Sequence, residues 1–207
     1  MIKYRIIDDM SIDGDALAEL ISSLPEWRRE KAMLFKFLNG KRECAMSYSL
    51  LCDILREDFD IPLQPSFVEG EHGKPVMHFS ADMPSSSDEE NVKKLSFNMS
   101  HCKHAVACVV SDEGEVGIDV ECLGRYKQQL AEYCMSEEEL LSIDDAEDSD
   151  LQFTLLWTKK EALLKYTGEG ITDDLKNCLT SARSEGVDIL SGYNKEKGYA
   201  WSLAHAK

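Results

Sequence analysis

From Ala105 to Val110 the chain is apolar without a break, and after Asp112-Glu113-Gly114-Glu115 a second apolar stretch runs from Val116 to Val120. Runs this short and this uniformly apolar read as buried strands, and the turn-forming residues between them predict a hairpin. Helical stripes surround the pair. Leu17, Leu20, Ile21 and Leu24 recur at helical spacing from Asp15 to Leu24. Pro25 suits the first turn of a second helix running through Trp27 and Lys31 towards Leu38, with Asn39-Gly40 breaking it. A third pattern covers Ala45 to Phe59, and residues 128–142 and 150–166 read as two more. Residues 2–8 start a strand, Phe67-Val68 forms a short one, and Ile189 to Ala204 suggests a closing hairpin. Residues 80–94, mostly polar, read as a surface loop. Hairpins mixed with helices make the fold class α+β rather than a doubly wound sheet.

The charge is −16 over 207 residues, which argues against a nucleic-acid partner, since that needs a basic face. No apolar run approaches the roughly eighteen residues of a membrane span, and Met1-Ile2-Lys3-Tyr4-Arg5 lacks the apolar core of a secretory signal. Seven cysteines without a C-x-x-C pair read as reduced, mostly buried thiols of a cytoplasmic protein. Charge is unevenly spread. From Glu26 to Arg42, Arg28, Arg29, Lys31, Lys36, Lys41 and Arg42 outnumber Glu26 and Glu30. Acids accumulate from Glu132 to Asp150, a run that reads as solvated helix end and loop.

Gly117-Ile118-Asp119-Val120-Glu121 closes the second apolar strand. Strand side chains alternate, so Asp119 and Glu121 point the same way, about 6–7 Å apart along the chain. Farther on, Trp157-Thr158-Lys159-Lys160-Glu161 lies in a helical pattern. A helical Glu161 set opposite the pair would complete an oxygen site suited to Mg²⁺, which takes few protein carboxylates and fills its remaining positions with phosphate and water. Asp119-x-Glu121 alone is also the pattern of a strand end reaching solvent, and Glu161 with Lys165 that of a surface ion pair. The accompanying motifs shift the balance towards phosphate-group chemistry.

In order, Gly73-Lys74-Pro75, Phe97-Asn98-Met99-Ser100-His101, Gly117-Ile118-Asp119-Val120-Glu121 and Trp157-Thr158-Lys159-Lys160-Glu161-Ala162-Leu163-Leu164-Lys165 resemble the 4′-phosphopantetheinyl transferases. The likeness is to the longer, single-chain, surfactin-synthetase-activating class and spans roughly residues 25–171. The resemblance implies transfer of 4′-phosphopantetheine from coenzyme A to a serine of an apo acyl or peptidyl carrier protein, releasing adenosine 3′,5′-bisphosphate. It implies two similar α+β halves related by a pseudo-twofold axis, residues 1–113 and 114–207, with coenzyme A at the junction. Asp119, Glu121 and Glu161 would hold Mg²⁺, or Mn²⁺, and either Glu161 or a metal-held water would be the base. Lys165 would act near the pyrophosphate. Lys74, Ser100 and His101 match the positions at the 3′-phosphate and adenine end, flanked by Gly73 and Pro75. Arg28, Lys31 and Lys160 would face the phosphates, and Glu139 falls near an acid beside the site. The class is normally monomeric.

Three departures stand out. Tyr48 occupies a position where the family usually carries an arginine for the 3′-phosphate, leaving Lys41 or Arg42 to substitute. Cys102 follows the Ser-His pair in place of a small hydroxyl residue, and the stretch from Val76 to Ser96 is longer than expected. A catalytically weak relative that binds coenzyme A or a carrier protein without transfer, and a Mg²⁺-dependent nucleotide hydrolase, are the competing readings. Because a carrier domain is expected to be acidic, docking on a −16 chain needs an apolar or locally basic patch; Arg125, Tyr126 and Lys127 are candidates.

Overall fold

The computed structural model describes residues 1–70, 73–79, 95–170, 174–181 and 184–207; the expected loop at 80–94 lies outside these. Strands β1 (Ile2–Ile7), β4 (Ser96–Cys102) and β5 (Ala105–Ser111) form one antiparallel sheet in the order β1-β5-β4. Strands β6 (Val116–Cys122), β7 (Val187–Asn194) and β8 (Tyr199–Ala206) form a second in the order β6-β8-β7. The two repeat one connection: a first strand, then helices, then a hairpin whose last strand lies in the middle. Strands β2 (Ser66–Glu69) and β3 (Pro75–His78) make a separate hairpin around Gly73-Lys74. Gly73 has φ +79°, a left-handed conformation that glycine adopts without a Cβ clash.

The expected hairpin between Ala105–Val110 and Val116–Val120 does not form. Both edges of β5 are already taken by β1 and β4, so β6 pairs with β8 instead. Every residue of β5 is buried. Val106, Cys108 and Val110 face the long helix α3 (Leu38–Asp58), while Ala105, Ala107 and Val109 pack with Val116, Ile118 and Val120 of β6. That two-sided burial explains the unbroken apolar run, since each fully buried valine contributes about 1.5–3 kcal/mol. The central cluster joins the two sheets.

Helix α1 (Gly14–Ser23) is capped by Asp13, whose side chain accepts from the Ala16 amide. Helix α2 (Glu26–Met33) starts after Pro25, as expected, but ends before Leu34. Asn39-Gly40 lies inside α3 rather than breaking a helix. A Cβ at Gly40 would meet the Phe35 ring at 2.6 Å, so the glycine serves close packing of the α2–α3 connection. The expected helix at 128–142 is two helices, α4 (Gln128–Cys134) and α5 (Glu137–Asp144). Ser136 interrupts them with a capping box: its hydroxyl accepts from the Glu139 amide while Glu139 accepts from the Ser136 amide. Helix α6 (Ser149–Thr167) begins at the Asp148 cap and stops at Gly168, φ +75°. No helix among the described residues is long and apolar enough to cross a membrane.

A candidate active site between the two sheets

Strands β4 and β6 run side by side without a backbone ladder. Side chains stitch them instead: Asn98 Oδ1 accepts from the Ile118 amide at 3.1 Å, and Ser100 Oγ from the Val120 amide at 3.3 Å. Helix α6 then lies directly on β6. A Cβ at Gly117 would stand 2.1 Å from the Ala162 carbonyl oxygen and 2.4 Å from the Tyr166 nitrogen, so only glycine permits this approach. The contact brings Glu161 and Lys165, one helical turn apart, over the end of β6 that carries Asp119 and Glu121.

Asp119 is buried. Its Oδ1 accepts from Lys165 Nζ at 2.6 Å and from Ser100 Oγ at 2.8 Å, while its Oδ2 is buried without a partner. Lys165 also donates to Ser100 Oγ and the Ile118 carbonyl, each at 3.2 Å. Glu121 pairs with Arg125 and receives a hydrogen bond from Trp157. Burial, then the charge of Asp119, pushes both Glu121 and Glu161 above the usual carboxylate range; Arg125 and Trp157 oppose this at Glu121, and Lys165 at Glu161. The two raised carboxyls and the buried Asp119 beside them form an anionic pocket.

Among the described residues no three ligating side chains are drawn together as a formed metal centre. The donor set nonetheless suits a hard cation: all oxygen, mutually repelling, with the orphaned Oδ2 of Asp119 among them. Asp119, Glu121 and Glu161 are the residues that fit.

Beside them opens a cavity of about 200 Å³, lined by Gly73, Lys74, Pro75, Asn98, Glu161 and Lys165 among others. Lys74 crosses from the β2–β3 turn to the second sheet, donating to Glu115 Oε2 at 2.5 Å and to the carbonyls of Val116 and Tyr166. Burial raises the Glu115 carboxyl, but Lys74 and Ser96 together carry it below its ordinary range.

Other expected site residues lie elsewhere. His101 follows Ser100 on a strand and so faces the other way, where its Nδ1 sits 3.3 Å from Glu43 Oε2. It does not line the cavity. Lys160 is fully buried: its amine pairs with Glu139 at 2.8 Å and donates to the carbonyls of Leu175 and Lys176. With three internal partners it joins α6 to α5 and the 174–178 segment, and Glu139 is its structural counter-charge rather than an acid beside the cavity. Arg28 is buried too, donating to the Cys44 carbonyl at 2.8 Å beneath Trp27 and Tyr48, and burial lowers its pKa. Lys31 is exposed on α2. Tyr48 points into the core and donates to the Pro65 carbonyl, so it does not stand where an arginine would reach a ligand. Asn98, Trp157 and Gly117 lay inside the quoted motifs without a role, and the fold supplies one for each. Glu43 had no signal in the sequence beyond its place directly after the basic segment.

A family model described as the 4′-phosphopantetheinyl transferase superfamily matches residues 115–207, which hold all three carboxylates. The 4′-phosphopantetheinyl transferase HetI of Nostoc sp. is 30% identical over 194 residues, 90% of this chain and 75% of that one. This chain belongs to the 4′-phosphopantetheinyl transferase superfamily. Within it, psf-1 of Bacillus pumilus is 31% identical over 79% of this chain and 66% of its own length. AcpT of Salmonella typhimurium is 35% identical over 108 residues, half of each chain. The chain thus spans half to about two thirds of these two relatives. HetI and psf-1 are matched well beyond residues 115–207, so the likeness takes in the first sheet as well as the second.

Proposed function

We propose that this chain transfers 4′-phosphopantetheine from coenzyme A to a serine of an apo carrier protein, releasing adenosine 3′,5′-bisphosphate. The observation that carries this is the meeting of Asp119, Glu121, Glu161 and Lys165 beside the Lys74-lined cavity, in a member of this superfamily. The repeated β1-β5-β4 and β6-β8-β7 connection supports two halves, 1–113 and 114–207, related by a pseudo-twofold axis with the site at their junction. Seven free thiols fit a cytoplasmic setting.

In the reaction the serine oxygen attacks the phosphorus that carries pantetheine. An O–P bond forms, and the P–O bond to the nucleotide breaks with its electron pair leaving on the bisphosphate oxygen. Glu161 lines the cavity and is placed to take the serine proton. Lys165 and Lys74 face the developing negative charge. Asp119, Glu121 and Glu161 would hold Mg²⁺, or Mn²⁺. When bound, the ion neutralises pyrophosphate charge as a Lewis acid. Ser100 fixes Asp119, and Arg125 with Trp157 fixes Glu121, so the carboxylates arrive oriented.

The test is the release of adenosine 3′,5′-bisphosphate from coenzyme A with and without an apo carrier. Release that requires the carrier and its serine supports transfer. Release without any acceptor would make the protein a nucleotide hydrolase.

A further inference from the structure

Strands β4 and β6 are stitched by side chains at a fixed interval. Asn98 reaches Ile118 and Ser100 reaches Val120, each contact joining residues twenty apart in the chain. The second contact lies two residues beyond the first on both strands, so the strands run parallel here, and the next position falls on Cys102 and Cys122. The two thiols do meet: their side chains hydrogen-bond to each other at the ends of β4 and β6. Cys102 belongs to the buried cluster between the two sheets, and Cys122 packs against its rim. A thiol is a weak donor and a weak acceptor, so this third stitch is poor beside the first two. What a facing pair of thiols can form instead is a covalent bond.

We infer that Cys102 and Cys122 are a reversible oxidation site, closing under hydrogen peroxide to a disulfide that clamps the first sheet to the second. Cys122 is half-buried and Cys102 buried, so Cys122 meets the oxidant first. Its sulfur attacks one peroxide oxygen: an S–O bond forms, the O–O bond breaks, and the departing hydroxide takes the thiol proton and leaves as water. The Cys102 sulfur then attacks the sulfenic sulfur of Cys122. The S–S bond forms, the S–O bond breaks, and a second water carries off the Cys102 proton. The thiol pair has lost two electrons and the peroxide has gained them. A thiol reductant reverses the bond by exchange. Transient disulfides of this kind are the ones a reducing compartment allows. Side chains alternate along β6, so Cys122 points away from the face on which Glu121 meets Trp157 of α6, and the clamp forms without displacing the carboxylates. It closes a loop of about twenty residues and restricts the unfolded chain accordingly. None of this requires that the chain transfer phosphopantetheine.

The test treats the reduced full chain with a small excess of hydrogen peroxide, alkylates the remaining thiols in denaturant, and maps the unreduced peptides by mass spectrometry beside a thermal melt. The expected result is a linked Cys102–Cys122 peptide with the other five cysteines alkylated. The oxidised protein should melt about 5–10 °C higher, a rise that dithiothreitol removes. Cys122→Ser and, separately, Cys102→Ser should lose both the linked peptide and the rise, while Cys122→Ser in dithiothreitol melts within about 2 °C of wild type. Should a serine variant fail to fold, the wild-type map and its reversal decide alone. Wild type in which Cys102 and Cys122 both stay alkylatable overturns the site. So does a disulfide between other cysteines, or Cys122 carried to sulfinic acid with no link to Cys102. A linked peptide with an unchanged or lowered Tm overturns the clamp, because the bond would then not fit the native spacing of the two sheets.

Discussion

Lys165 Nζ lies 2.6 Å from Asp119 Oδ1, with Ser100 Oγ bridging to the same oxygen, so helix α6 and strand β4 hold the site by one shared atom. Removing the carboxylate therefore does two things at once. Asp119→Ala leaves a largely buried ammonium without its counter-charge and should lower stability by about 3 kcal/mol. Asp119→Asn keeps the shape and the Ser100 bond, and is expected to lower transfer by about 10²–10³ with a smaller loss of stability. Chemical denaturation beside a transfer assay separates the two. Full activity in Asp119→Asn would contradict the role.

Lys160 sits in the same helix but serves packing. Lys160→Met abandons Glu139 and two carbonyls in the interior and is expected to cost about 3–5 kcal/mol. Coupled with Glu139→Leu it should regain much of that, because replacing both partners of a buried pair is far milder than removing one. Coenzyme A affinity of the folded single variant, by calorimetry, should stay near wild type. A selective loss of affinity at undiminished stability would return Lys160 to the ligand.

Glu121 and Glu161, held above the ordinary value of 4.5 by burial and by Asp119, have a thermodynamic signature. Their folded forms bind protons more tightly than their unfolded forms, so the stability these two groups contribute is fully present below about pH 4.5 and is lost as pH rises through the raised values. In EDTA at pH 8, Glu161→Gln should melt higher than wild type, by about 2–4 °C for each kcal/mol relieved. Below pH 4.5 the difference should vanish. Mg²⁺ at pH 8 should raise the wild-type Tm more than the variant's. Identical melting of the two at both pH values would contradict the crowding of charge.

Glu43 places a carboxylate 3.3 Å from His101, the residue expected to meet the 3′-phosphate. If that phosphate lies there, Glu43 opposes it. Glu43→Gln should then tighten adenosine 3′,5′-bisphosphate about fivefold relative to AMP, measured by calorimetry. Equal effects on the two nucleotides would put the phosphate elsewhere.

Much of the site was readable because its residues cluster in short motifs whose geometry is local. Strand alternation places Asp119 and Glu121, and a helical repeat places Glu161 with Lys165. The partners that orient them come from other strands: Asn98 and Ser100 stitch β4 to β6 through contacts twenty residues apart. The burial of Lys160 was not legible for a related reason. Adjacent helix residues point about 100° apart, so Lys160 faces the interior while Glu161 faces the cavity, and sequence alone does not say which side is which. The β5–β6 hairpin was misread because a turn and two apolar runs are equally what two sheets packed face to face produce.

The most direct measurement is the intact mass of an apo carrier after incubation with this protein, coenzyme A and Mg²⁺, with EDTA and Glu161→Gln in parallel. A gain of one phosphopantetheine on the carrier serine, absent with EDTA and nearly absent with the variant, is the predicted result. A carrier whose mass does not change across a panel of acyl and peptidyl carriers, with coenzyme A bound to the protein, would contradict the account.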